Sequence, residues 1–230
     1  MKVNVIVFDM DDTLYDEINY VKSAFISVSE FFSKEYDINQ TDFFNKLLKE
    51  LEENGRGKVF DEVFIEYGIY SKANIKKALN IYRTHIPNII LRDDAKEILE
   101  YFKILKFPIY LVTDGNKIVQ RKKVNALKLD DYCKKIMITH NYGIKYSKPS
   151  TYCFEKIAFL ENNNFEKIVY IGDNVNKDFV NIKKIGFKTI RFKNGMFKDI
   201  KKDEKYQADI NIDNLLVLKS LIERTSYENR

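Results

Sequence analysis

Apolar and polar positions alternate along this chain in two distinct rhythms. Residues 3–8 (VNVIVF) form a short β-branched apolar run, the pattern of a buried strand. From residue 18 to about residue 83 the period becomes helical. Ile18, Val21, Phe25, Val28 and Phe32 share one face, Phe44, Leu47, Leu48 and Leu51 a second, Val59, Phe60, Val63, Phe64 and Tyr67 a third, and Ile75, Leu79 and Tyr82 a fourth. The stretch Asn54-Gly55-Arg56-Gly57-Lys58 reads as a loop between the second and third of these helices.

Near Pro87 the first rhythm returns. A helix over residues 94–105 precedes a strand at 109–113 (IYLVT), and a polar turn at Asp114-Gly115-Asn116 opens the next helix. Residues 136–139 predict a strand and residues 150–160 a helix. Residues 168–171 (IVYI) predict a buried strand ending in Gly172-Asp173-Asn174. A helix is then expected up to Ile185, stopped by Gly186, with last strands at 189–192 and 208–212. Strands alternating with helices predict an α/β fold: a doubly wound, Rossmann-like parallel sheet over residues 1–15 and 88–230, interrupted by an all-helical insertion at 16–87. There is no internal repeat and no low-complexity tract.

Composition narrows the function classes. The 230 residues are 45% hydrophobic and 32% charged, ordinary for a globular protein and incompatible with disorder or a disulfide scaffold. Lys and Arg exceed Asp and Glu by 39 to 34, a formal charge of +5, but the cations are scattered lysines and not a stripe interleaved with stacking aromatics, so no nucleic-acid partner is expected. The aromatic-rich helices of the insertion (Phe31, Phe32, Phe43, Phe44) read as core. Two cysteines, Cys133 and Cys153, form no metal-binding pair and indicate a reducing compartment. The apolar start is too short for a signal peptide and ends at Asp9. No run approaches the ~18–20 apolar residues of a membrane span. A cytoplasmic protein without a membrane partner is expected, monomeric or homodimeric. The histidines, His85 and His140, fall at no expected site and read as surface or hinge residues.

Polar residues gather at the expected strand ends: Asp9, Asp11 and Thr13 after the first, Thr113, Asp114 and Gly115 after the second, Lys148 before Pro149 and a helix, Asp173 and Asp178 after IVYI. Ligands of open α/β sheets bind beyond the carboxyl ends of the strands. Several carboxylates in one crevice raise each other's pKa and become tolerable around a hard cation such as Mg²⁺. A phosphate then finds the metal, a lysine, the Thr113 hydroxyl and backbone N–H groups.

This set resembles the haloacid dehalogenase superfamily of phosphohydrolases. An apolar strand followed by DxDxT appears as Asp9-Met10-Asp11-Asp12-Thr13, a strand ending in Thr as Leu111-Val112-Thr113, a Lys-Pro pair as Lys148-Pro149, and GDxxxxD as Gly172 to Asp178. The helical insertion sits where that family inserts a small cap. The resemblance implies a Mg²⁺-dependent phosphatase acting on a small phosphorylated metabolite (a sugar phosphate, polyol phosphate or nucleoside monophosphate). Asp9 would be the nucleophile and Asp11 the general acid and base. Asp9 and Asp173 would be metal ligands, together with Asp11 through its backbone carbonyl, and Asp178 would bind the metal through water or steady Lys148. Lys148 and Thr113 would orient the phosphoryl group, with Asp114 beside them. Arg56 and Lys58, on the cap loop, are candidate substrate contacts. Lys145 competes with Lys148 for its role, Asp12 reads as a strand terminator, Thr13 as a turn residue and Asn116 as a helix N-cap. Asp11 argues against a dehalogenase, whose halide leaves without a proton. A phosphomutase of the same superfamily and a non-enzymatic phospho-accepting receiver-type module are the alternatives.

Overall fold

The computed structural model describes residues 1–224. The described residues divide into two compact units, one formed by Met1–Glu17 and residues 90–224, the other by Ile18–Ile89. The expected core ran to residue 230, and 225–230 lie outside the described residues.

The first unit is built on a sheet of six parallel strands. A two-residue strand β1 (Lys2–Val3) precedes β2 (Val5–Phe8). The helices α1 (Glu17–Tyr36), α2 (Gln40–Asn54), α3 (Val59–Glu66) and α4 (Lys72–Thr84) come next. Then follow α5 (Asp93–Ile104), β3 (Ile109–Thr113), α6 (Lys117–Ala126), β4 (Lys135–Ile138) and α7 (Tyr152–Leu160). The strands β5 (Ile168–Gly172), β6 (Lys188–Phe192) and β7 (Ile210–Ile212), a short helix α8 (Leu218–Leu221) and β8 (Glu223–Arg224) complete it. The sheet order is β4-β3-β2-β5-β6-β7, and β1 pairs with β8 separately.

Every residue of β2, β3 and β5 is buried, as expected of central parallel strands whose β-branched and aromatic side chains pack on both faces. The order reverses at β2: the chain builds outward through β3 and β4, then returns to the other side of β2 with β5. That reversal opens a crevice at the carboxyl ends of β2, β3 and β5.

The second unit is a helical module with its own core, in which Phe25, Val28, Phe32, Phe43, Val63 and Phe64 are buried. Asn39 caps α2 by accepting from the Asp42 N–H, and Ser71 caps α4 by accepting from the Asn74 N–H.

Three expectations are corrected. The run over residues 3–8 is not one strand: it breaks at Asn4 into β1, which pairs with β8, and β2 of the main sheet. No regular helix fills residues 174–185. The backbone there closes separate turns: Asp178 N donates to the Asn174 carbonyl at 3.0 Å, Lys183 N to the Phe179 carbonyl at 3.0 Å and Gly186 N to the Lys183 carbonyl at 3.1 Å. His85 is buried and not at the surface; its ring lies 4.9 Å from that of Tyr20, with Nδ1 2.9 Å from the Tyr82 carbonyl oxygen.

Candidate active site

The register of the sheet sets the site. Phe8 aligns with Ile171 of β5 and Leu111 of β3, and the next residue, Asp9, donates its N–H to the Ile171 carbonyl at 2.8 Å. Asp9 therefore leaves β2 beside the end of β5, where Gly172 hands the chain to Asp173. A Cβ on Gly172 would meet Asp178 Oδ2 at 2.6 Å and the Tyr170 hydroxyl at 3.1 Å, so only glycine permits this approach.

Asp9, Asp173 and Asp178 are all buried, and each offers a carboxylate oxygen within 4.8 Å of the others. Lys148 enters from the segment before α7. Its Nζ lies 2.8 Å from Asp9 Oδ1, 2.8 Å from Asp178 Oδ1 and 2.9 Å from the Tyr170 hydroxyl. Lys145 is exposed, with its Nζ over the Tyr146 ring, so Lys148 alone of the two candidates joins the acids.

One ammonium does not balance three carboxylates. Burial pushes Asp9 up to about 7, with Lys148 pulling it back and Asp178 adding to the rise. Burial, reinforced by Asp178 and Asp9, pushes Asp173 up to about 10. The site is short of positive charge, and its clustered hard oxygen donors suit a divalent cation.

Asp11 points to a separate network. Its Oδ1 accepts from the Tyr15 hydroxyl at 2.6 Å and from Lys123 Nζ at 2.7 Å, and its Oδ2 from Gln120 Nε2 at 2.7 Å. Gln120 Nε2 also donates to Thr113 Oγ1 at 2.6 Å, so Asp11 and Thr113 share one amide. Burial raises the Asp11 carboxyl, but the charge and hydrogen bond of Lys123, with the bonds from Tyr15 and Gln120, hold it below the ordinary carboxylate range.

Asp114 is engaged within the protein. It accepts from Thr139 Oγ1 at 2.8 Å, Lys148 N at 3.0 Å and Lys177 Nζ at 2.8 Å, tying together the ends of β3 and β4 and the segments carrying Lys148 and Asp178. Burial raises its pKa, but Lys148 and Lys177 outweigh that and hold it low. Asp12 has φ 53° and accepts the Glu17 N–H at 2.9 Å, a turn-forming part. Thr13 is buried in the same turn. Asn116 caps α6 through the Ile118 N–H at 3.0 Å. Arg56 and Lys58 belong to the helical unit, in the connection between α2 and α3, where Arg56 lines a largely apolar cavity of about 300 Å³. Burial pushes the thiols of Cys133 and Cys153 up to about 12 and about 11, so neither is a reactive nucleophile.

Sequence reasoning missed Tyr15, Glu17, Gln120, Lys123 and Lys177. A signal existed on α6: Gln120, Lys123, Val124 and Leu127 follow the i, i+3, i+4, i+7 spacing of a buried face, which places two polar residues where apolar ones belong. Among the neighbouring cations Lys117, Arg121 and Lys122 that signal was masked.

A family model described as haloacid dehalogenase-like hydrolase matches residues 3–186. The glyceraldehyde 3-phosphate phosphatase of Pyrococcus furiosus is 27% identical over 249 residues, spanning 100% of this chain and 97% of the relative. That of Methanocaldococcus jannaschii is 29% identical over 220 residues, 90% of this chain and 92% of the relative. Among solved structures, the HAD-hydrolase YfnB from Bacillus subtilis bound to magnesium superposes with a TM-score of 0.66 at 19% identity, over 96% of this chain and 99% of that one. A HAD-superfamily hydrolase from Geobacter sulfurreducens gives a TM-score of 0.68 at 14% identity, over 95% and 96%. Among the described residues, no helix is long and apolar enough to cross a membrane.

Proposed function

The chain belongs to the haloacid dehalogenase-like hydrolase family, and from that membership we propose that it is a cytoplasmic, Mg²⁺-dependent phosphatase that hydrolyses a small sugar phosphate through an aspartyl-phosphate on Asp9. Glyceraldehyde 3-phosphate is the substrate we assign first, because the relatives bearing that name match the chain over nearly its whole length. The observation that carries the reading is the convergence of Asp9, Asp173 and Asp178 at the reversal of strand order, with Lys148 bridging two of them. The two free cysteines fit a reducing compartment.

The residues divide the work as follows. Asp9, Asp173 and Asp178, with the Asp11 backbone carbonyl, would hold Mg²⁺, which when bound supplies positive charge to the phosphoryl oxygens. The Asp9 carboxylate attacks phosphorus; the bond to the sugar oxygen breaks, and its electron pair leaves with that oxygen. Asp11 gives the leaving oxygen a proton. An arriving phosphate is a like charge that raises the Asp11 carboxyl toward its protonated form. Asp11 then takes a proton from water as the water oxygen attacks phosphorus, inorganic phosphate departs, and Asp9 is regenerated. Lys148 steadies Asp9 and shares the phosphoryl charge. Thr113 accepts from Gln120, which leaves its own hydroxyl proton to donate to a phosphoryl oxygen.

Phosphate release from glyceraldehyde 3-phosphate and other phosphomonoesters, measured with and without Mg²⁺, tests the proposal. Wild type is expected to turn over, and Asp9→Asn to lose at least ~10³-fold in kcat. Equal rates in the two proteins would remove Asp9 as nucleophile.

A further inference from the structure

Lys123 is an ammonium that the reading above does not use, and its position is costly. It projects from the last turn of α6 with a side chain only 3% exposed, 2.7 Å from Asp11 Oδ1 and 3.1 Å from Glu17 Oε1. A buried cation is tolerated only with partners, and a buried ion pair often stabilises a fold no better than apolar packing would. Its value here lies in what it holds. Asp11 keeps 21% of its side chain exposed, yet both of its oxygens already have donors: Tyr15 and Lys123 on one, Gln120 on the other. Gln120 and Lys123 stand three residues apart on one face of α6, whose first turn is fixed by the Asn116 cap. The grip on Asp11 is therefore built on a rigid element, and through Gln120 it is keyed to Thr113.

We infer that Lys123 is a positioning residue for proton transfer: with Gln120 it fixes the Asp11 carboxyl beside Thr113, and Glu17 anchors the Lys123 ammonium when Asp11 exchanges its proton with the leaving oxygen or with water. This rests on the phosphatase reading and adds a residue to it. In that reading Lys123 acts through Asp11.

The role predicts a dependence on the leaving group. A sugar oxygen departs only with a proton, whereas p-nitrophenolate is stable enough to leave without one. kcat/KM reports the steps up to departure of the alcohol, before Asp11 is needed as a base. Lys123→Met should therefore lower kcat/KM for glyceraldehyde 3-phosphate about tenfold or more while leaving that for p-nitrophenyl phosphate within about threefold. Lowered kcat is expected on both esters, since the water step is common to them. Asp11→Asn should show the same selectivity in stronger form.

Lys123→Met leaves Glu17 without this partner and could fail to fold. The double variant Lys123→Met, Glu17→Gln removes both charges and carries the same expectation. An equal loss in kcat/KM on the two esters in a folded variant, or no loss on either, overturns the inference and leaves the phosphatase reading intact. A wild type that hydrolyses neither ester in Mg²⁺ overturns both.

Discussion

Lys148 Nζ lies 2.8 Å from Asp9 Oδ1, and the two side chains are only 1% and 7% exposed. The same ammonium reaches Asp178, so one buried cation links the expected nucleophile to an acid from another strand end. Burial lowers the Lys148 pKa, but Asp178 and Asp9 more than reverse this and hold it well above the ordinary lysine value. It stays charged throughout the working range.

Replacing Lys148 with Met removes that charge and leaves the carboxylates facing one another. Loss of one partner from a buried pair costs ~3–5 kcal/mol. Urea unfolding without metal should register a loss of that size, and Mg²⁺ should recover part of it. kcat/KM should fall at least ~100-fold because a charge preorganised at the phosphoryl site is gone. A variant within a few-fold of wild type would show that Lys148 only fills space.

Stability without metal should fall as pH rises. Asp9 titrates at about 7 and Asp173 at about 10 in the folded protein, each above the ordinary 3.8. The folded state thus binds these protons more tightly than the unfolded chain. Their contribution is fully present below about pH 4 and is lost progressively as pH climbs through the folded values. Mg²⁺ competes with the same protons, so the rise in Tm at saturating Mg²⁺ should be larger at about pH 8 than at about pH 6. Thermal scans at the two pH values decide this; a Mg²⁺ shift that shrinks with pH would contradict it.

Gly172→Ala tests the close approach at the end of β5. The added methyl would sit 2.6 Å from Asp178 Oδ2, and a carboxylate gripped by Lys148 and the Asn174 N–H cannot easily yield. A cost of ~1–3 kcal/mol in unfolding free energy is expected. The Mg²⁺-induced Tm shift should shrink with it. A full metal response in this variant would show that Asp178 is free to move.

Gly195→Ala probes the loop that closes over Asp12. Gly195 has φ 62°, and a Cβ there would lie 2.3 Å from Asp12 Cγ. Both strain and overlap oppose any side chain, so a loss of ~1–3 kcal/mol is expected by chemical denaturation. Because the contact lies in the turn that carries Asp11 to Glu17, kcat should fall as well. An unchanged Tm would mean that Asp12 has room to withdraw.

Much of the architecture was legible along the chain. The runs VIVF (residues 5–8), IYLVT and IVYI are buried strands because an apolar, β-branched run of that length has no solvated face to offer, and Asp9, Thr113 and Asp173 stand at or just beyond their ends. Lys148 could be preferred over Lys145 by its following proline, and it is Lys148 that meets the acids. The stretch after Asp173 misled. Its spacing suits a helix, but the backbone closes separate turns, and periodicity does not register whether successive turns join into one ladder.

Hydrophobic patterning and motif spacing by themselves determined the strands, the helical insertion and the residue types at the strand ends, because these follow from local covalent order and from burial of neighbours a few positions apart. Only the tertiary structure decided who faces whom: that Lys148 bridges Asp9 and Asp178, that Asp114 spends its carboxylate on Thr139 and Lys177, and that Lys123 grips Asp11. These are meetings of distant segments, and the energy of a charge depends on distances and burial that arise when the chain closes on itself.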